Sequence, residues 1–386
     1  MNGERGVVMK KLKVGVICYP TLGGSGVVAT ELGKKMAEKG HEVHFITSSK
    51  PFRLDVHPNV HFHEVKIDGY AVFKYPPYDI ALANRIAQVI EQEHLDLLHV
   101  HYAVPHAISA ALAKDMANSD IGVITTLHGT DVTILGHDLT LRNTVRYGIN
   151  KSDITTAVSE SLRQETLSLI KPNKEILTIY NFIDEEKYHP VDPKTLKSDL
   201  GIGKEEKVII HISNFRSVKR IGDIINCFKI IRERCSSKLL LVGTGPELIG
   251  LHEMVKNEGL QEDIIFTGKR DDLPELLAIS DVLFLLSEKE AFGLVLLEGF
   301  SCGVPAIGTN IGGIPEVIED GKNGYLVEIG DVQLAAERAL LLLENEHLHE
   351  EFRQNAFHTA FKKFNSDSIV QQYERLYYEL AGGKGR

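Results

Sequence analysis

Val282-Leu283-Phe284-Leu285-Leu286, followed by Glu290-Ala291-Phe292-Gly293-Leu294-Val295-Leu296-Leu297-Glu298 and by Ala306-Ile307-Gly308-Thr309, reads as a strand, a loop opening into a helix near Phe292, and a second strand. The outer runs are short and apolar, whereas the middle one has helical spacing. Two strands joined through a helix lie parallel in one sheet. Outward from this unit the alternation continues, with strands expected at Val208–Ser213, Leu239–Val242 and Ile264–Thr267. The first half repeats it at Lys13–Tyr19, Glu42–Thr47, Asp96–Tyr102, Gly122–Leu127, Ile154–Val158 and Ile176–Tyr180. Between the halves, two prolines and clustered charge in Asp184–Pro193 break the pattern and mark a hinge. The chain reads as α/β, with two doubly wound parallel-sheet domains at residues 1–183 and 184–365 and a final segment at 366–386. Ligands of such sheets bind outside the carboxyl ends of the strands, so the cleft between the halves is the expected site.

At 386 residues, 43% hydrophobic and 25% charged, the chain can build two full cores and has the composition of a folded, soluble protein. Its 43 basic and 53 acidic residues leave a net charge of −10, which argues against nucleic acid or an anionic membrane surface as the main partner. Cys18, Cys227, Cys235 and Cys302 form no Cys-x-x-Cys pair and fall in apolar runs, which fits reduced thiols in a reducing cytosol. Apolar stretches such as Val282–Leu286 and Ala339–Leu343 are far shorter than the roughly 20 residues that cross a bilayer. Lys10-Lys11-Leu12-Lys13 before the first strand lacks a cleavage site, and Met9 suggests that Met1–Val8 is a leader or extension.

Gly23-Gly24-Ser25-Gly26 follows the first strand and opens a helix, where bare N–H groups can receive an anion or admit a substrate closely. A tight turn is the simpler alternative. The run is not Gly-x-Gly-x-x-Gly, and no ribose-binding acid follows at the expected distance, which disfavours a nicotinamide site. The helix from Phe292 offers its N-terminus to a diphosphate. Glu298, inside that helix among apolar neighbours, is costly to bury unless it binds something, and a pair of ribose hydroxyls would satisfy it. His128, in Leu127-His128-Gly129-Thr130-Asp131, ends a strand at its carboxyl edge and can face the cleft. His99 and His101 read as one face of a buried strand, and with His106 they lack the carboxylate or cysteine of a metal site.

Glu290 and Glu298 in a Glu-x7-Glu spacing, followed by Ser301-Cys302-Gly303-Val304-Pro305-Ala306 and Gly312-Gly313-Ile314-Pro315-Glu316, resemble the retaining nucleotide-sugar glycosyltransferases of family 4. The resemblance runs from about Lys13 to Phe364. It implies the GT-B fold, two Rossmann-like domains whose last helix, Ser366–Leu380 here, crosses back onto the first. It implies that Glu290 contacts the hexose and Glu298 the ribose, with Gly24, Arg270, Phe292, Gly293 and Leu294 as further donor-binding positions. The family's Gly-Arg-x4-Lys motif departs here to Ser213-Asn214-Phe215-Arg216-Ser217-Val218-Lys219. Lys219 is in place, Asn214 occupies the usual arginine position, and Arg216 is the candidate replacement. Two such cations would stabilise a departing nucleoside diphosphate without a metal, and the chain has no Asp-x-Asp. The resemblance also puts a histidine at the donor sugar. His128, Arg216, Lys219 and Glu290 are therefore the expected catalytic set, with no cofactor and no metal.

Val100-His101-Tyr102-Ala103-Val104-Pro105-His106, with the Gly23–Gly26 and Ser213–Arg216 runs, is similar to a branch of the family that transfers N-acetylglucosamine to L-malate, the first step of bacillithiol synthesis. The implied substrates are UDP-N-acetylglucosamine (UDP-GlcNAc) and L-malate. The implied route is retaining, with the leaving phosphate helping to take the acceptor proton in place of a glycosidase carboxylate. A malate dianion needs cations and hydroxyls. Arg142 and Arg146, four apart on one predicted helix face, are candidates for the first, and Ser25, Tyr102 and Thr126 for the second. An exposed helix face accounts equally well for the arginines. A lipid or polysaccharide acceptor is the alternative, weakened by Glu91 and Glu93 beside Arg85 on the predicted helix Ile80–His94. A non-catalytic sugar-nucleotide binding protein is a third option. Neither nucleic acid nor membrane is an expected partner, and a homo-oligomer is left open.

Overall fold

The computed structural model describes residues 10–20, 23–51, 54, 56–67 and 77–382. The expected leader, Met1–Val8, and the tail beyond Gly382 lie outside them. Contacts divide the described residues into two units, one drawn from Met1–Val158, Leu162–Ile179 and Val370–Arg386, the other from Ser159–Ser161 and Tyr180–Ile369. The first holds β1 (Lys13–Ile17), β2 (Glu42–Thr47), β3 (Val60–Glu64), β4 (Leu97–His101), β5 (Gly122–Leu127), β6 (Ile154–Ala157) and β7 (Leu177–Thr178). The second holds β8 (Lys207–Asn214), β9 (Ser237–Thr244), β10 (Ile264–Gly268), β11 (Val282–Leu285), β12 (Ala306–Thr309) and β13 (Gly324–Val327).

The spatial orders are β3-β2-β1-β4-β5-β6-β7 and β10-β9-β8-β11-β12-β13, with every pairing parallel. Each order reverses once, between β1 and β4 and between β8 and β11. At such a switch point the connections leave in opposite directions and open a crevice at the carboxyl edge of the sheet.

β3 and β13 lie outside the strands that periodicity predicts. Both are edge strands. β3 reads Val-His-Phe-His-Glu and leaves Phe62 39% exposed, so it lacks the apolar run of a strand covered on both faces. The expected hinge at 184–193 belongs to the second unit, where Tyr188 is buried, and contacts change unit earlier, at Ile179/Tyr180.

One device closes the amino ends of both sheets. Asp96, Asp153 and Asp281 each stand one residue before a strand, and their carboxylates accept the N–H groups of Lys13, Val123 and Val208 at 2.8 Å. The aspartates' own N–H groups donate back to the carbonyls of the same three residues. The final helix, Ser366–Gly382, packs with the first unit from Val370 onward. Tyr373 and Tyr377 are buried there, Tyr377 OH lies 2.7 Å from His99 Nδ1, and Glu374 pairs with Lys39 at 2.9 Å and His41 at 3.0 Å.

Candidate functional site

In the second unit the switch point is lined by the exits of β8 and β11. Past Asn214 the chain turns Phe215 into the core and brings Arg216 out to the surface. β9 passes close behind this turn. A Cβ on Gly243, at φ +130°, would lie 1.9 Å from Ser213 O, and one on Gly245 would lie 2.6 Å from Phe215 N, so only glycine fits. Ser217–Lys219 forms a short 3-10 turn, and the Lys219 amine meets Glu290 Oε2 at 2.6 Å, with both side chains 17% exposed. Glu288 N–H donates to Val218 O at 2.8 Å and ties the two loops together.

The Glu290 loop is held from its other sides by backbone. Gly313 N–H donates to Glu290 O at 3.1 Å, and a Cβ on Gly312 would lie 1.9 Å from that same oxygen. The hydroxyls of Ser159 and Thr309 donate to Ala291 O and Ser287 O at 2.6 Å. Glu316 serves the scaffold: its two oxygens accept the N–H groups of Glu160 and Ser161 at 2.8 Å. Buried His211, which the sequence pattern does not single out, accepts from Ser213 Oγ at 2.8 Å and donates to Phe284 O at 2.9 Å. Burial pushes it down to about 4.

Gly293, at φ +91°, starts helix Leu294–Ser301, which no side chain caps. Its first-turn N–H groups and the positive end of its dipole are thus left for a ligand. Glu298 lies within this helix at 8% exposure. Burial first, then the Glu298 charge, pushes the Cys302 thiol up to about 12. At Phe292 the expected donor contact falls to the backbone. Its side chain is 2% exposed and packs with Tyr180 and Phe364, so only its backbone is available. Arg270 is paired with Asp272 through two hydrogen bonds, Nε to Oδ1 at 2.7 Å, which hold the Asp272 carboxyl below its ordinary range. Arg216 has no side-chain partner among the described residues.

In the first unit, helix Gly24–Glu38 also starts without a side-chain cap, and a Cβ on Gly24 would meet nothing within 4 Å among the described residues. Ser25 Oγ accepts from Tyr102 OH at 2.9 Å. Tyr102 sits at φ +87°, a strained conformation for a non-glycine residue, and its N–H donates to Thr126 O at 2.9 Å. The His128 ring lies 5.4 Å from that of Tyr102, and His128 Nε2 is 2.8 Å from His101 Nδ1. Burial, then His106, holds His128 down to about 3, so it is neutral at physiological pH. His101 is fully buried and its Nε2 has no hydrogen-bond partner. A bare lone pair there costs less than an orphaned N–H, so His101 Nδ1–H donates to His128 Nε2, and His128 Nδ1 carries the proton. His101 is therefore a positioning residue as well as a core residue. The β4–β5 register, with His101 opposite Thr126, is the feature that brings it beside His128.

Thr126 is a second correction. Its side chain is fully buried and its hydroxyl is engaged by His99 Nε2 at 2.7 Å and Thr156 Oγ1 at 2.8 Å, so only its carbonyl serves this region. Arg142 and Arg146 are half-buried on helix Arg142–Lys151, and their Nε atoms donate to Gly136 O at 2.8 Å and Ile170 O at 2.6 Å. Neither forms an ion pair among the described residues. Asp131 braces the turn by accepting from Ala103 N and Gly129 N at 3.1 Å, and burial pushes it up to about 6.

Residues 22–187 match the model of Glycosyltransferase Family 4 and residues 192–359 that of Glycosyl transferases group 1. N-acetyl-alpha-D-glucosaminyl L-malate synthase of Bacillus anthracis is 55% identical over 371 residues, covering 96% of this chain and 97% of that protein. HepE of Anabaena in complex with UDP and glucose shares the fold, with a TM-score of 0.80 at 21% identity over 95% of this chain and 99% of that one. Sucrose-phosphate synthase of Thermosynechococcus elongatus does so with a TM-score of 0.82 at 18% identity over 97% and 100%. No helix among the described residues is long and apolar enough to cross a membrane. With two family models that together match most of the chain and a relative more than half identical along its length, the chain belongs to the family 4 glycosyltransferases, of GT-B fold.

Proposed function

We propose that the protein transfers N-acetylglucosamine from UDP-GlcNAc to the hydroxyl of L-malate, with retention and without a metal in the transfer step. The observation that carries this reading is the 2.6 Å Lys219–Glu290 pair at the carboxyl edge of the second sheet, in a chain whose B. anthracis relative is named for that product. Glu290 accepts from hexose hydroxyls and Glu298 from the ribose. The uncapped helix Leu294–Ser301 faces the diphosphate. As the anomeric C–O bond breaks, its electron pair leaves with UDP, and Lys219 and Arg216 offset the growing phosphate charge without reorganising. The malate hydroxyl attacks from the same face and its proton passes to the leaving phosphate oxygen. Neutral His128 donates from Nδ1 to the donor sugar. Arg142 and Arg146 take the malate carboxylates, Ser25 and Tyr102 take its hydroxyl, and Gly24 leaves room for the substrate. The four free cysteines support a cytoplasmic location.

Incubation with UDP-GlcNAc and malate, lactate, glycerol or a lipid extract tests this, with product read by mass spectrometry and NMR. An α-linked glucosaminyl malate is expected, with malate far ahead of lactate because a monoacid leaves a half-buried cation unpaired. A β-linked product overturns retention, and a rate abolished by chelator and restored by Mg²⁺ overturns metal independence. Glycosylated lipid with malate ignored replaces the acceptor.

A further inference from the structure

Toward the amino ends of β2 and β3, opposite the strand ends that carry Ser25, Tyr102 and His128, lies a second cluster of chemically capable side chains. The two strands pair in parallel with His44 opposite His61 and Ile46 opposite His63. Alternation then puts Glu42, His44, His61 and His63 on one face. Glu42 Oε1 lies 3.5 Å from His44 Nε2 and 3.4 Å from His61 Nε2, and the two rings stack at 4.7 Å. The other Glu42 oxygen faces Lys13 Nζ at 3.4 Å. His44 is fully buried, and its Nε2 has no hydrogen-bond partner. Its Nδ1 is 3.0 Å from His63 Nε2. In the tautomer whose Nδ1–H donates to His63, Nε2 is a buried lone pair aimed at the Glu42 carboxylate. A cation held between that lone pair and the carboxylate satisfies both.

We propose that Glu42, His44 and His61 bind one divalent transition-metal ion of zinc type, with His63 orienting His44 from behind. The three ligand atoms lie within 4.8 Å of one another. Two imidazoles, one carboxylate and an open position form a donor set that suits zinc. The side chains of His61 and Glu42 are 42% and 35% exposed, so solvent supplies the remaining ligand and the entry path. Glu93 makes a competing triad with His44 and His63. There the His44 nitrogen that faces His63 is already engaged in a hydrogen bond. An ion at the first triad would pin β3, which has a single neighbour in the sheet.

The full chain, stripped with chelator and dialysed, is titrated at neutral pH with Zn²⁺ by calorimetry and with Co²⁺ by absorbance. One equivalent of each is expected, with a four-coordinate Co²⁺ spectrum. Zn²⁺ should raise the melting temperature. His61→Ala and Glu42→Gln, both at half-exposed positions, should weaken binding by at least about tenfold and cancel that rise, with metal-free melting curves that match the parent. Failure to bind either metal overturns the proposal. So does binding that survives His61→Ala and is lost in Glu93→Gln, which would assign the ion to the other triad.

Discussion

Lys219 and Glu290 neutralise one another at 2.6 Å, so truncating either strands the other charge and, on the proposed reading, also removes a substrate contact. Lys219→Ala is expected to lower kcat by about 10²–10³. The Lys219→Ala/Glu290→Ala double variant should lose less than the two single effects combined, because each single loss already contains the broken pair. A double-mutant cycle on kcat/KM checks this, and strict additivity would show that the pair does not act as a unit. Thr126 and Arg146 make the opposite contrast. Thr126→Val removes a hydroxyl from a buried network and should cost about 1–2 kcal/mol of stability with malate KM unchanged. Arg146→Ala should raise malate KM with UDP affinity retained. Steady-state kinetics beside urea denaturation separates the two, and a raised malate KM in the Thr126 variant would return that hydroxyl to the acceptor site.

Two glycines show how the elements reach the site. Gly243→Ala puts a Cβ against backbone at φ +130°, so the β8 exit that carries Arg216 and Lys219 must move, and both stability and UDP affinity should fall. The backbone strain alone is about 1–3 kcal/mol. Gly24→Ala meets nothing among the described residues, so its melting temperature should match the parent and any loss should appear in turnover. Thermal melts beside initial rates check both, and a destabilised Gly24→Ala would mark that glycine as packing. The parallel strands covered on both faces were legible because burial leaves continuous apolar runs, and the Glu290–Glu298 spacing was legible because a single loop and helix carry it. Edge strand β3 was not, since half its side chains face solvent or one another. The inward turn of Phe215 was not, because it depends on β9 passing behind Ser213. Nor was the fate of the Thr126 hydroxyl, which depends partly on Tyr373, 247 residues further along the chain.

At the scale of the whole molecule the buried imidazoles set a common acid response. Burial holds His99 and His128 down to about 3 and His106 and His211 to about 4. Each returns to about 6.5 in the unfolded chain. Between the two values the unfolded state binds the extra proton, so stability is present above about pH 6.5 and is lost as pH falls toward the folded values. Asp131 works in the other direction. Burial pushes it up to about 6, so below that pH the folded state keeps a proton that the unfolded chain, with its value of 3.8, releases, and acidification stabilises. Three of the four imidazoles lie in the first unit, where Asp131 offsets only one of them. Hydrogen exchange followed by peptide, with chelator present and intrinsic rates corrected, should show β4 and β5 losing protection between about pH 7.5 and 5.5, and β9 and β11 losing less. His128→Asn should flatten the loss in the first unit by removing one titrating ring. Equal losses in the two units, or a first unit insensitive to acid, would mean that these histidines are not held neutral by the fold.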